Sequence, residues 1–389
     1  MKTVQARWTK AHGWSPTPFL LPPPPAHLVL MFGTPAILQD PAVLAEVRTA
    51  FPGAHPLGCS TAGEIAGTQV SDDSLVVNAI FFEHTQIRGA QVSLHDVGDS
   101  FQAGEKLALA LPPTVDAAEP GQRDPLAHVL VLSDGLHVNG SDLVHGLTQH
   151  LPVGTSVTGG LAGDGARFGE TFVFWDTAPT TEAIAVLGLY GSRLQVGVGS
   201  LGGWDSFGPE RLITRSQGNV LYELDGHSAL GLYQTYLGEH AAGLPATGLL
   251  FPLSLRVKAG ETPVVRTLLS VDEKKQSITF AGDVPEGAYA RLMKANSDRL
   301  IDGAVGAAET CVRALGERPP ELAILISCVG RKLVLRQRVE EEIEGVRDVL
   351  GANTLLTGFY SYGEIAPFLP GAKCELHNQT MTITTLLEQ

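Results

Sequence analysis

One pattern occurs three times in this chain and limits its fold more than any other feature. A short aliphatic run is followed by a loop, an amphipathic stretch and a second apolar run that ends in glycines. It runs from HLVLMFG at His27 to Gly67, from HVLVLSDG at His128 to Gly165, and from ELAILISCVG at Glu321 to Pro367. The internal spacing is close: 32 residues from Met31 to Gly63, 31 from Leu132 to Gly163 and 37 from Ile326 to Gly363. Continuous aliphatic strands joined by one helix predict parallel pairing through a right-handed crossover. Short strand-like runs follow each unit: SLVVNAIFF, then TFVFW and AIAVLGLYG, then TMTITTLL. They predict antiparallel strands added to the same sheets. The fold class expected is α/β, with mixed sheets built from repeated strand–helix–strand units and added antiparallel strands, in two associated domains.

Between the second and third units the pattern changes. ITRSQGNVLYELDG reads as a strand and turn, and HSALGLYQTYLG as a helix beginning near His227. A strand around residues 249–257 and the hairpin VVRTLLSV–DEKKQ–SITFAG follow. A boundary near residue 220 divides the chain into an N-terminal extension, 1–26, and two domains, 27–220 and 221–389. With 389 residues, 44% hydrophobic and 17% charged, there is ample apolar material for both.

Charge and cysteine usage exclude several classes. Forty-one acidic residues against 27 basic ones give a net charge of −14, which repels phosphate backbones and anionic lipid. Nucleic acid and membrane are therefore not expected partners. Cys59, Cys311, Cys328 and Cys374 form no C-x-x-C and no zinc spacing. The apolar stretch from Phe19 to Phe32 is broken by four consecutive prolines, which suits neither a signal peptide nor a membrane span. A cytoplasmic location is expected.

The motifs with chemical promise sit at the ends of the repeats. GCSTAGEIA at Gly58 and GFYSYGEIA at Gly358 agree at the leading glycine, at a hydroxyl three positions on (Thr61, Ser361), and throughout Gly-Glu-Ile-Ala. TGGLAGDG, with Gly160, Gly163 and Asp164, is a weaker third copy. Glycine at the end of a parallel strand frees N–H groups to face a ligand, and a following carboxylate accepts hydrogen bonds from it or holds the turn itself. Ligands of open α/β sheets bind beyond the carboxyl ends of the strands, where these loops lie. The candidate ligand-binding residues are Cys59, Ser60, Thr61, Gly63, Glu64, Asp134, Asn139, Gly160, Asp164, Arg331, Tyr360, Tyr362 and Glu364. Arg331 follows a buried strand and either clamps a ligand carboxylate or pairs with Glu364 or a helix acid. Tyr360 and Tyr362 either wall an apolar pocket or pack between domains. Asp134, His137 and Asn139 either meet a ligand or form a polar loop. For Glu64 and Glu364 a purely structural role is equally open.

Two motifs mislead. GVGSLG from Gly197 to Gly202 matches a dinucleotide fingerprint, but a strand precedes it and no helix opens after it. GCSTAG has one residue too many for a nucleophile elbow. A hydrolase using Cys59 or Ser60 is an alternative, weakened because Phe359 and Tyr360 occupy those slots in the third unit. No catalytic residue is assigned.

GCSTAGEI, SDG followed by GGLAGDG, LYELDG, SCVGR at Ser327–Arg331, GFYSYGEIAP and the late HNQT occur in an order that resembles the FIST N-terminal and C-terminal domains. The resemblance covers roughly His27 to Leu387. It implies a bacterial sensory module that binds a small ligand, such as an amino acid or similar metabolite. It also implies signalling to a separate partner, a histidine kinase or cyclic-dinucleotide enzyme, since no output motif occurs in the chain. Some stand-alone members of the family sense nitric oxide through haem, so haem is carried as an alternative cofactor, with His137, His227 and His377 in family-like segments. The metal ligands are unknown, and a homodimer is among the open oligomeric states.

Overall fold

A computed structural model of the chain describes residues 1–16, 25–117, 119, 121–257, 263–316, 318–368 and 371–389. Apart from Pro25, the proline run lies outside the described residues. Each repeat forms a parallel pair: Leu28–Gly33 with His55–Ser60, Arg123–Ser133 with Ser156–Leu161, and Leu322–Cys328 with Leu355–Ser361. Helices Pro41–Ala50, Gly140–His150 and Val339–Leu350 lie in the crossovers. A later strand then returns antiparallel against the first strand of its own pair, at Ser74–Phe81, Ala183–Tyr190 and Met381–Glu388. An earlier strand flanks each return strand: Lys2–Thr9, Gln86–Ser93 and Leu194–Leu201. The stretch ahead of His27 thus supplies a full strand of the first sheet.

Between its parallel pair and its return strand, each module lends a short strand to a neighbour. Glu64–Ala66 of the first pairs with Leu355–Ser361 of the third. Gly363–Pro367 of the third pairs with Ser156–Leu161 of the second. Val173–Trp175 of the second pairs with His55–Ser60 of the first. TFVFW therefore joins the first sheet, not the sheet of its own unit. The exchange is cyclic, so the three modules are topologically equivalent, and segments from either side of residue 220 share two of the three sheets.

Close approach explains several glycines. Helices Ser100–Ala110 and Gly140–His150 meet at Gly104 and Gly146, where a Cβ on either would overlap the other helix's backbone. Gly197 and Gly199 of GVGSLG lie in strand Leu194–Leu201, where a Cβ at Gly199 would overlap Ala307 of helix Ser297–Ala314. These two serve helix–sheet contact.

An antiparallel nine-stranded sheet is inserted between Leu201 and Ser297. Helix Ala229–Leu237 packs with it in a separate core around Ile213, Leu221, Tyr233 and Phe280. The HNQT segment fastens this layer to the third module. Asn378 accepts the Thr267 N–H at 3.1 Å, and the Gln379 amide donates to Leu249 O and Thr267 Oγ1, both at 3.0 Å. Trp204 Nε1 donates to Gln379 O at 2.9 Å. Asn378 and Gln379 are buried, so these bonds specify how the layer sits as well as holding it.

Candidate ligand site

The three glycine turns meet at the carboxyl ends of the parallel strands and bond to one another in a ring. Gly163 N–H donates to Ser60 O at 2.9 Å and Gly165 N–H to Thr61 O at 3.2 Å. Ala62 N–H donates to Tyr360 O, and Tyr360 N–H to Gly63 O, each at 2.8 Å. Tyr362 N–H closes the ring on Leu161 O at 3.1 Å.

Within the ring, Glu64 and Glu364 perform one task twice. Glu64 accepts Thr61 Oγ1 at 2.5 Å and, from the start of its return strand, Ser74 N–H at 3.2 Å and Ser74 Oγ at 2.6 Å. Glu364 accepts Ser361 Oγ at 2.5 Å, Thr380 N–H at 3.1 Å and Thr380 Oγ1 at 3.0 Å. Both side chains are buried, and burial pushes Glu64 up to about 7 and Glu364 up to about 8.

Asp164 behaves differently. Its oxygens accept the N–H groups of Phe168 and Gly169, both at 2.9 Å, and of Glu170 at 3.1 Å, together with the Tyr362 hydroxyl. Burial opposes its charge, but the Tyr362 hydroxyl and the three N–H groups outweigh it and hold the carboxyl below its ordinary range. The result is a hydrogen-bonded loop, 165–170, that stands out from the ring, with Phe168 stacked on Tyr362 at 4.4 Å between centroids.

The remaining candidates are distributed around these turns. Asp134 accepts the N–H groups of Leu136 and His137 and the Thr171 hydroxyl at 2.9, 2.7 and 2.7 Å. Asn139 caps helix Gly140–His150 and donates to Asp283 at 2.9 Å. Gly160 is packed so that a Cβ would lie 2.6 Å from Ile326 Cγ2. Ser60 Oγ accepts Phe172 N–H at 2.9 Å, and the Cys59 thiol is buried, which raises its pKa. Neither has the activation a nucleophile needs. Arg331 is fully buried: Nη2 donates to Glu342 Oε2 and Leu300 O, and Nη1 to Gly202 O, all at 2.7 Å. The Tyr360 hydroxyl donates to the other Glu342 oxygen at 2.7 Å. Tyr360 and Tyr362 do not act together, because the chain changes sheet between them.

Beside the ring opens a cleft of ≈ 840 Å³. Its floor is Ala62, from the first turn; the Gly165–Phe168 loop of the second is one side; Val329, Lys332, Leu333 and Arg336 of the third module are another. The inserted layer closes it with Leu249, Leu250, Leu268 and Leu269. Lys332 Nζ donates to Ala62 O at 2.8 Å, pairs with Asp72 and lies 5.6 Å from the Tyr360 ring centroid. A Cβ on Gly63 would come within 2.5 Å of that ammonium. Two of the three turns expected to surround a ligand border the cleft, the first through Ala62 and the second through Gly165–Phe168. Among the described residues the third turn does not line it, and neither does any of the candidate ligand-binding residues. The apolar wall gave one sequence signal: paired leucines in the inserted hairpin, one facing its core and one outward.

The cleft does not fit haem. Among the described residues that line it, none is a histidine, cysteine, methionine or tyrosine able to ligate iron. His377 is buried against Ala366 O at 3.0 Å, and burial and Arg266 lower its pKa to about 4. His137 bonds Asp134 at 3.2 Å, and His227 is an exposed residue of a two-residue strand.

The profile of the FIST N domain matches residues 27–227, and that of the FIST C domain matches 229–367. The chain belongs to the FIST family. FIST domains are sensory domains suggested to bind small ligands. An uncharacterized protein of Mycobacterium tuberculosis strain H37Rv is 28% identical over 252 residues, 61% of this chain. That match spans 63% of the relative's own length. An uncharacterized protein of Mycobacterium bovis is 26% identical over 272 residues, 67% of each chain. Among the described residues, no helix of this FIST protein is long and apolar enough to cross a membrane.

Proposed function

We propose that this FIST protein is a cytoplasmic, non-enzymatic receptor that binds a small metabolite in the cleft and reports its occupancy to a separate signalling protein, such as a histidine kinase or cyclic-dinucleotide enzyme. The observation that carries this reading is the ≈ 840 Å³ apolar cleft beside converging strand ends, within the size range of metabolite sites. Its walls come from different parts of the chain, so a ligand bridges the inserted layer and the three-module body. Helix Val329–Leu335 links the two: Leu333 and Lys332 border the cleft, while Arg331 grips Gly202 O at the start of the insertion and Leu300 O in the helix Ser297–Ala314 that follows it. A ligand that prefers one setting of that helix shifts the whole layer. Four free cysteines suit a reducing compartment.

The test is thermal melting of the full chain against amino acids and other metabolites at millimolar concentration, repeated with Leu269→Glu, which puts a charge into the apolar wall of the cleft. A true ligand raises the melting temperature without being consumed, and at a hundredfold excess over its Kd it stabilises the folded state by about 2.7 kcal/mol. The reading is wrong if nothing shifts the transition, or if the shift persists in Leu269→Glu.

A further inference from the structure

The charges around the cleft narrow what it holds. On a chain of net charge −14, the charged lining among the described residues is Arg167, Lys332 and Arg336 against the single acid Asp72. Asp72 is already engaged by the Lys332 ammonium. Arg167 is 61% exposed, with Asp164 at 3.9 Å as its acidic neighbour, and that carboxylate is occupied by backbone N–H groups. Arg336 is exposed and has no ion pair among the described residues. Its φ of 52° lies in a region that disfavours residues with a side chain, yet this is where the helix ends and a guanidinium reaches the mouth. Beneath these cations the walls are Leu250, Leu269, Val329 and Leu333.

Resting on the sensory reading above, we infer that the cleft takes an amphipathic organic anion: an apolar body with a carboxylate-type head and no ammonium group. The apolar body lies between the leucines of the inserted layer and helix Val329–Leu335, removing hydrocarbon from water. The anionic head meets Arg167 and Arg336, whose planar forks suit carboxylate oxygens; Arg167 has Asp164 at 3.9 Å, a carboxylate already held by backbone N–H groups. An α-amino acid is disfavoured, because its ammonium meets three cations and an acid that is already paired.

Calorimetric titration of the full chain with octanoate, 2-aminooctanoate and 1-octanol tests the inference, since the three share one hydrocarbon chain. Octanoate binds with unit stoichiometry, and the other two at least about tenfold more weakly: octanol for the loss of one charge-assisted contact, 2-aminooctanoate for the repulsion of its ammonium by the lining cations. Arg167→Gln/Arg336→Gln retains the parent melting temperature and erases the preference for octanoate over octanol; Leu269→Glu, which sets a carboxylate in the apolar wall, abolishes octanoate binding. Equal binding of octanol, or tighter binding of 2-aminooctanoate, in the parent protein overturns the anionic class while leaving the cleft a ligand site. Octanoate binding unchanged in Leu269→Glu, or no binding by any of the three, overturns the assignment to this cleft.

Discussion

The turn at Glu64 and the turn at Glu364 differ from the turn at Asp164 in a way that explains where the cleft lies. In the two Glu copies the carboxylate folds inward onto a hydroxyl three residues back and onto the start of its return strand, at Ser74 in one and at Thr380, just before Met381, in the other. Each of these carboxyl groups is fully buried and holds three internal donors. In the Asp copy the shorter side chain gathers the N–H groups of the residues that follow, and the chain makes a loop that borders the cleft. Repetition here marks architecture, and the copy that departs from it is the one whose loop borders the cleft. A duplicated residue that fastens a strand must be duplicated with the strand, whereas a ligand site needs only one copy.

The largest test of this contrast is to empty the Glu positions. Glu64→Ala and Glu364→Ala each leave a buried N–H and two hydroxyl groups without their acceptor, at a cost of about 3–5 kcal/mol apiece. Chemical denaturation should show similar losses for the two, with the more stable of the variants still binding any cleft ligand. A variant that kept its stability but lost the ligand would place that glutamate in the site.

Titration separates the two kinds of turn by sign. Glu64 and Glu364 have folded pKa values of about 7 and about 8, above the ordinary 4.5, so the folded state holds protons that the unfolded chain has released. Their contribution is greatest in acid and falls as the pH rises from 4.5 through about 7 and about 8. Asp164 is depressed below its ordinary 3.8, so its contribution is present above that pH and is lost as the pH falls beneath it. Melting curves should show Glu64→Gln and Glu364→Gln flattening the decline between pH 5 and pH 8, roughly that window. Asp164→Asn should flatten only the acid limb. An amide suits the Glu positions because the Ser and Thr hydroxyls can turn to accept from it. A Gln variant with an unchanged slope would show that the carboxyl stays ionised when buried.

Much of the body was legible in the sequence, for a physical reason. Strands covered on both faces, such as Leu322–Cys328, must be continuously apolar, and helix crossovers fix their spacing, so three parallel pairs and their return strands leave a linear signature. The exchange of short strands leaves none. Glu64–Ala66 is three residues long, and nothing local distinguishes pairing with its own module from pairing with the third. The same limit hid the cleft. Its position near the glycine turns followed from strand direction, yet its walls are Leu249, Leu269 and Leu333, ordinary leucines given a purpose by the placement of the insertion. That placement depends on Asn378 and Gln379, whose partners lie more than a hundred residues away. Polar residues with distant partners read in sequence as loop.

The smallest expected effect is the most specific. Tyr362→Phe removes one hydroxyl, which donates to Asp164 and also accepts the Asp164 N–H at 3.2 Å, while keeping the ring stacked on Phe168. Asp164 retains three N–H donors, so denaturation should register a loss of only about 1 kcal/mol. The consequence for the cleft is larger than the consequence for the fold. That hydroxyl ties the loop bearing Arg167 and Phe168 to the third module, so its removal frees one wall relative to the other. Ligand affinity should drop while the melting transition stays nearly fixed, and hydrogen exchange should speed up at Phe168, Gly169 and Glu170 but not at Ser74 or Thr380. Exchange that quickened equally at all three turns would mean the ring yields as one body and the contrast between the turns is only chemical. Exchange confined to the Asp turn would show the third copy to be mechanically separate, as a wall must be if it is to answer a ligand without loosening the strands behind it.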